Sequence, residues 1–224
     1  MCTKPVYIAL SKSAEKLPLC GSHFWGNPDL PVGYEYPTYN DDDGNTFEYQ
    51  FICQVNLSEL GTSGIECGLP EHGLLSFFAK IDYYLGYIEG ECPISGYISG
   101  TEDVKVLFFP EVCVPGENDE FEEKILVDDD DMPVNPKELQ MCFSAVRPSE
   151  YCEDHALMAE PTYREWENRD SPYEDWKILL QVDSFSGDDF NLNFMDFGVL
   201  DFLISPEDLK NSRFDCVRAI VLSS

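Results

Sequence analysis

The sequence predicts a mainly β (α+β) fold, in which antiparallel sheets form a roll- or sandwich-like domain from two related halves with a few short helices. Aromatic and β-branched residues are grouped in short runs, and glycine, proline and aspartate separate these runs, which is the pattern of strands and turns. No window of helix length keeps the helical period, so long amphipathic helices are not expected. The fold is therefore expected to be dominated by strands.

Each predicted element rests on a local signal. Aromatic and β-branched runs predict the strands, Ser58–Leu60 suggests a helical turn, and Ser205 followed by Pro206 and Asp208 resembles a helix N-cap with a capping box. Two further short helices are predicted near 151–158 and 163–169. The predicted strands cover 5–10, 47–55, 73–81, 104–109, 141–146, 176–183, 198–204 and 217–222.

Residues 19–37 form a turn-dense loop, since proline blocks both helix and central strand. Aromatic residues are interleaved with its turn residues. One interpretation is a plug that seals one end of the sheet system, and the alternative is a surface that faces a ligand or partner. Residues 41–45 are predicted to form a solvated hairpin tip, and the acid-rich segment 117–131 a polar edge strand or loop.

Two segments of the chain resemble each other. Residues 47–81 and 176–204 each contain an apolar strand with a glutamine, a polar bend, a glycine and a second strand. This predicts a single domain over 1–224 with an internal duplication in which Gln54 and Gln181 are equivalent, and chance similarity between two ordinary hairpins is the alternative. Because a buried amide must be hydrogen-bonded, both glutamines are expected to bind loop backbone.

The net charge of −29 excludes most nucleic-acid and anionic-membrane partners and favours basic proteins, cations or polyamines. Solubility alone is the other explanation of the acidity. Nine scattered cysteines without a Cys-x-x-Cys pair suggest reduced thiols, and Cys53 and Cys113 are expected to be buried. A signal peptide and a membrane-spanning run are not recognised, so a cytoplasmic location is expected.

Motifs for catalysis are not recognised in the sequence. The three histidines lack metal-ligand spacing, and neither a nucleophile elbow nor a phosphate-binding loop is present. Consecutive aspartates do not have the alternating spacing of a calcium loop. Neither a metal site nor a cofactor is therefore predicted, and enzymatic activity is less favoured than binding.

Several segments resemble the YwqG-like family. They are residues 22–31 (SHFWGNPDLP), 51–60 (FICQVNLSEL), 73–78 (GLLSFF), 179–184 (LLQVDS) and 202–210 (FLISPEDLK). The resemblance implies a mainly β, roll-like or α+β fold, and it implies no function, because the family is one of unknown function. The chain departs from the family pattern at 155–161 and 194–198.

Three functional hypotheses follow. The first is a non-enzymatic binding protein, such as an immunity or inhibitor protein for a basic toxin or nuclease, with the contacts made by Glu120, Glu122, Glu123, Asp129 and Asp130. The alternatives are an enzyme or a small-molecule sensor. Their pocket would lie beneath the 24–37 loop or between the halves, and its candidate residues are Trp25, Asp29, Gln54, Gln181 and Asp196.

Overall fold

The computed structural model describes residues 4–62, 64–81, 97–128, 130–148, 153–161, 172–186, 191–194 and 197–222. Strands dominate these residues, and the helical elements are short. They are α1 (Leu57–Thr62), α2 (Pro206–Lys210) and a 3₁₀ turn at Phe214–Cys216. The strands are β1 (Val6–Lys12), β2 (His23–Phe24), β3 (Asp29–Pro31), β4 (Thr38–Asn40), β5 (Thr46–Glu48), β6 (Gln50–Asn56), β7 (Leu74–Ala79), β8 (Val104–Phe109), β9 (Phe121–Glu123), β10 (Leu139–Ser144), β11 (Ala156–Leu157), β12 (Lys177–Asp183), β13 (Phe185–Ser186), β14 (Asn191–Leu192), β15 (Val199–Ile204) and β16 (Arg218–Leu222).

Ten strands form one antiparallel sheet in the order β16-β15-β12-β11-β1-β10-β2-β6-β7-β8, and the sheet is nearly closed into a roll. From the β1–β10 pair outward, each side continues with a two-residue strand, a long strand with a bulge, its hairpin partner and an edge strand. The mainly β, roll-like fold is therefore confirmed.

The two long hairpins have the same register. Gln54 on β6 lies opposite Ser76 on β7, and Gln181 on β12 lies opposite Asp201 on β15. In each half the register shifts at the residue two positions before the glutamine, which is the mark of a β-bulge. The alignment found in the sequence therefore corresponds to equal positions in the sheet.

Each bulge is hydrogen-bonded to the residue that directly follows the short strand beside it. The bulged residues are Ile52 and Leu179, whose carbonyls accept hydrogen bonds from the amides of Trp25 (2.9 Å) and Met158 (3.0 Å). Both Trp25 and Met158 have positive φ angles, 55° and 48°. A non-glycine residue in this region is strained by about 1–3 kcal/mol, so the surrounding contacts must hold it there.

The two glutamines bind loop backbone, as the sequence predicts. The Nε2 of Gln54 donates to the carbonyl of Gly21 (2.9 Å) and to Oδ2 of Asp29 (2.6 Å), and its Oε1 accepts from the Asp29 amide (2.9 Å). The Nε2 of Gln181 donates to the carbonyl of Asp154 (2.7 Å). These bonds fix the segments that enter β2 and β11.

The main core fills the inside of the roll and connects both halves. Phe77 of β7 and Phe202 of β15 meet edge to face, with 5.2 Å between ring centroids. In the 19–37 loop, Phe24, Trp25 and Leu30 are buried, whereas residues 32–35 are exposed. The first part of the loop therefore covers the core, as the plug interpretation expects.

The short helices were predicted with mixed success. Ser205 caps α2 and accepts from the amide of Asp208 (3.0 Å), as expected. The prediction of a helix near 151–158 is wrong for residues 153–158, where β11 lies between β1 and β12. A helix there would leave the backbone groups of both neighbouring strands unpaired. The helix predicted near 163–169 lies outside the described residues.

Of the two cysteines that were expected to be buried, Cys53 is fully buried but Cys113 is exposed. At Cys113 the preceding residue, Val112, fills the core position at that bend.

Within the described ranges, the structure contains no helix that is long and apolar enough to cross a membrane.

The buried His155 is expected to make stability depend on pH. It packs against the rings of Phe24 and Phe185, its Nδ1 accepts from the Asp183 amide (3.1 Å), and its Nε2 has no hydrogen-bond partner among the described residues. Burial lowers the pKa of His155 to about 4. The folded state therefore disfavours the charged ring, and the stability that this provides above pH ~6.5 is lost as the pH falls toward 4.

We predict that the wild type loses roughly 2–3 kcal/mol of unfolding free energy through this group between pH 7 and pH 4. His155→Asn keeps an acceptor for the Asp183 amide but does not titrate, so its pH dependence should be smaller by that amount. Urea unfolding at both pH values measures it, with the exposed His72→Asn as the control. Equal pH dependence in wild type and H155N would contradict the prediction.

A second prediction concerns Gln54. Gln54→Leu removes the partner of three buried polar groups at Gly21 and Asp29, so the free energy of unfolding should fall by about 2–4 kcal/mol. Gln140→Leu, on the exposed face of β10, makes the same chemical change and should alter stability by about 0.5 kcal/mol or less. Chemical denaturation of both variants measures the difference. Equal effects would show that the buried amide does not hold the loop.

Candidate functional site

A small polar cavity of about 80 Å³ lies beside the 24–37 loop. Its walls come from the segment before the loop, the loop itself, β9 and the residue before β10. The lining residues are Lys16, Leu17, Pro18, Leu19, His23, Asn27, Asp29, Glu123 and Glu138. Two of the predicted site residues, Asp29 and Glu123, are therefore brought together here.

Asp29 is the buried carboxylate of this cavity, with 5% of its surface exposed. It lies on β3 opposite Glu123 of β9. Its Oδ2 accepts from the Cys20 amide (2.7 Å) and from Nε2 of Gln54 (2.6 Å). Burial raises the pKa of the Asp29 carboxyl, and the nearby His23 and these hydrogen bonds counteract part of the increase.

His23 is the buried imidazole of the cavity, with 3% exposed. It lies on β2 opposite Gln54. Its Nδ1 is 2.6 Å from the backbone oxygen of Trp25. Since a carbonyl oxygen can only accept, Nδ1 carries the hydrogen of this bond.

The cavity is bordered by an ion pair. The Nζ of Lys16 lies 2.5 Å from Oε2 of Glu123, while Nδ2 of Asn27 donates to Oε1 of the same carboxylate (2.9 Å). Glu138 accepts from the Leu17 amide (3.0 Å). The hydrogen bond and charge of Glu123 raise the pKa of Lys16. Because the Lys16 side chain is 73% exposed, this pair contributes little to stability.

The related place in the other half has a cavity of about 140 Å³ with different chemistry. Gln181 lines it, together with Arg147 and Asp154, which form an ion pair of 2.5 Å. Ala156 lies opposite Gln181, where His23 lies opposite Gln54. Gln181 therefore lies in a different cavity from the one lined by Asp29.

A larger cavity, about 790 Å³, lies beside α2 and the start of β12. None of the predicted site residues that the structure describes lines it. Its walls include Leu69 and Pro70, and α2 contributes Pro206 and Leu209. These residues belong to a turn and to a helix start, both of which the sequence indicates. However, the sequence of such an element does not show whether it borders a cavity. Its lining residues within the described part of the chain are Gly68, Leu69, Pro70, Asp175, Lys177, Pro206, Leu209, Lys210 and Ser212.

An exposed hairpin follows β9. Its arms are joined by the bridge of Val127 with Pro133 and by two backbone hydrogen bonds, Asp128 to Met132 (2.9 Å) and Val134 to Leu126 (3.1 Å). This segment is the 125–134 hairpin, of which the structure describes all residues except 129. Four of its large apolar residues are exposed by 43–60%: Ile125, Val127, Met132 and Val134.

The remaining predicted site residues are placed as follows. Trp25 is fully buried in the main core. Glu120 and Asp130 are exposed, and Glu122 is half-buried beside Lys124 (3.2 Å). Asp129 and Asp196 lie outside the described residues. In the part of the chain that the structure describes, no group of three or more histidine, cysteine or acidic side chains is arranged to hold a metal ion.

Comparison with known proteins gives a family but no function. No curated protein matches the chain. The profile of a domain of unknown function, DUF1963, matches residues 22–221, which includes both long hairpins, the 125–134 hairpin and the part of the polar cavity wall that follows residue 21. The chain therefore belongs to the DUF1963 family of domains of unknown function.

Proposed function

We propose that the protein is a non-enzymatic binding protein that binds a basic protein partner through the 125–134 hairpin and the acidic residues around it. The observation that carries the proposal is the concentration of exposed apolar side chains in this one hairpin. Four of the eleven large hydrophobic residues that are exposed in the described part of the chain lie within these ten positions.

The hairpin has the composition of an interface. Since side chains alternate across a strand, Ile125 and Val127 share one face of the hairpin, and Met132 and Val134 share the other. Neither face is covered by the described residues, because all four side chains remain about half exposed. Apolar residues surrounded by polar ones are typical of protein–protein contacts.

The charges around the hairpin favour a basic partner. Lys124, the base in this segment, is already paired with Glu122. With a net charge of −29, the protein attracts basic surfaces from a distance and accelerates their association. An immunity or inhibitor protein that covers a basic toxin or nuclease in the cytoplasm fits these features. The described acids of this region are Glu117, Asp119, Glu120, Glu122, Glu123, Asp128, Asp130 and Asp131.

We also propose a closer family relationship for the chain and a common origin for its two halves. We place the chain with the YwqG-like proteins on the motifs in its loop and hairpins, and we propose that its halves descend from one duplicated unit. The equal bulges, the equal glutamine positions and the mirrored strand order support this origin.

An enzyme or a small-molecule sensor is the second candidate. The observation that favours it is the polar cavity, where the buried His23 and Asp29 both line the wall. Buried ionisable groups in a cavity are typical of functional sites. Gln54 supports this wall through Asp29, whereas Gln181 belongs to the other cavity.

Affinity capture with matched variants tests the binding proposal. The variant E120Q/E122Q/D130N removes three charges near the hairpin, and the control D42N/D43N/E71Q removes three exposed charges elsewhere. We expect wild type and control to retain the same basic protein at about 50 mM salt and to release it at about 300 mM. The hairpin variant should retain at least about tenfold less, because steering charges are lost.

A second variant tests the apolar contact separately. I125S/M132S should dissociate faster from the captured protein while the salt dependence stays unchanged, because it removes buried area and no charge. Circular dichroism verifies that each variant is folded. Equal retention by the hairpin variant and its charge-matched control would show that the acidity acts only through the overall charge.

A further inference from the structure

We propose that the cavity of about 790 Å³ beside α2 (the α2 cavity) binds a small organic anion with one negative charge on an apolar body. This site is separate from the 125–134 hairpin, so the inference does not depend on the proposed partner binding. It rests on the apolar part of the cavity wall, on two lysines without an acidic partner and on a strained serine.

The α2 cavity has an apolar wall that continues from the main core. Leu69 lies between α1 and β7, and Leu209 lies on α2. Both leucines are half-buried and pack against the main core. Pro70 and Pro206 lie in the same wall. A cavity of this volume encloses most of a small organic molecule, and an apolar body there would cover the exposed part of both leucines.

The charges of the described wall favour an anion. Lys177 and Lys210 contribute two ammonium groups, and Asp175 contributes one carboxylate. One positive charge is therefore in excess at this wall, although the whole chain carries a net charge of −29. A ligand with a single negative charge balances this excess.

The two ammonium groups are not neutralised by neighbours. The side chains of Lys177 and Lys210 make no hydrogen bond or ion pair with any described residue. The acids that precede Lys210 on α2 are already paired, because the guanidinium of Arg213 lies 2.5 Å from Asp208 and 3.5 Å from Glu207. Both lysines are therefore available to a ligand.

Ser212 lines the same wall with a strained backbone, since its φ is 53°. The Ser212 amide donates to the carbonyl of Leu209 (3.2 Å). The Arg213 amide donates to the carbonyl of Asp208 (2.9 Å), which completes a Schellman motif at the end of α2. Glycine is the usual residue at the position of Ser212, because it has no Cβ.

The strain at Ser212 is explained if its hydroxyl has a task. This hydroxyl has no hydrogen-bond partner among the described residues. Strained residues are concentrated at sites that bind ligands. In the proposed site the hydroxyl donates to the anionic head, beside the two lysines.

The apolar body must supply much of the affinity. Lys177 and Lys210 are exposed, and an ion pair with an exposed ammonium group is weak in water. The net charge of −29 also repels anions at long range. Each methylene that the ligand buries should tighten binding about fourfold. A short carboxylate is therefore expected to bind poorly, and a longer one well.

Calorimetric titration of the full chain at constant ionic strength tests the site with three probes. We expect octanoate to bind saturably with a Kd below about 1 mM. Butanoate has the same head and a shorter chain, so it should bind at least about tenfold more weakly. Octan-1-ol has the same chain without the charge and should bind at least about fivefold more weakly.

A pair of charge-matched variants locates the site. K177Q/K210Q removes the two lysines of the wall, and affinity for octanoate should fall at least about tenfold. The control K105Q/K137Q removes two exposed lysines elsewhere and should bind like wild type. The hairpin variant I125S/M132S should also bind octanoate like wild type, which separates this test from that of partner binding. Circular dichroism verifies that each variant is folded.

Ser212→Gly separates strain from binding. Glycine relieves the positive φ, so the midpoint of urea unfolding should rise, while the lost hydroxyl should weaken octanoate binding about threefold. A purely structural serine would raise stability without any change in affinity, and that result would contradict a contact with the head.

Three results would overturn the inference: unchanged affinity in K177Q/K210Q, equal affinity for octan-1-ol and octanoate, or no saturable binding up to about 5 mM octanoate. An equal loss of affinity in K105Q/K137Q would overturn it as well, because the anion would then respond only to overall charge.

Discussion

A primary amide enclosed within an apolar sheet must be hydrogen-bonded, and this requirement determines how the loops of the protein lie on its strands. In the first half, Gln54 binds the loop at Gly21 and at both the backbone and the side chain of Asp29. The loop held in this way carries β2 and β3. Through β3 the loop also holds β9, which brings Glu123 to the cavity. Removing the Gln54 side chain would therefore weaken the attachment of β2, β3 and β9 together.

The halves keep this framework while their chemistry differs. The amide of Asn56 donates to Oγ of Ser22 (2.8 Å), and at the matching place the amide of Asp183 donates to Nδ1 of His155 (3.1 Å). A hydroxyl and an imidazole thus satisfy the same backbone group. Because the framework needs only an acceptor there, the residue type was free to change, and among the described residues the cavity of the first half is lined by a histidine whereas that of the second half is not.

The local part of this structure was predictable from the sequence, and the non-local part was not. Apolar runs predict the long strands, and a serine followed by a proline predicts the start of α2. The repeated glutamine indicates the two hairpins. By contrast, β2 and β11 have two residues each, and so short a strand has no period to detect. The order of the strands in the sheet cannot be read from periodicity either. Periodicity tells which face of a strand is buried, but not which strands pair with it.

The residues of the candidate site were likewise predictable only where they belong to a local motif. Asp29 and Gln54 could be proposed together because both belong to conspicuous motifs, and they do touch. Glu138 and Lys16, in contrast, reach the cavity from segments with no distinguishing pattern. Glu123 was proposed as a surface contact, yet its carboxylate borders the cavity. In an acid-rich stretch, the sequence offers no means to tell which carboxylate turns inward.

The position of β1 sets the order in which the protein can be completed during synthesis. The first strand of the chain occupies the middle of the sheet, and both of its partners, β10 and β11, come from beyond residue 138. A nascent chain must therefore hold β1 unpaired until β10 has left the ribosome, and β1 gains its second neighbour only when β11 follows. Contacts this distant in sequence slow folding and leave unpaired strand edges exposed meanwhile. The many acidic residues would keep such half-made chains apart by mutual repulsion.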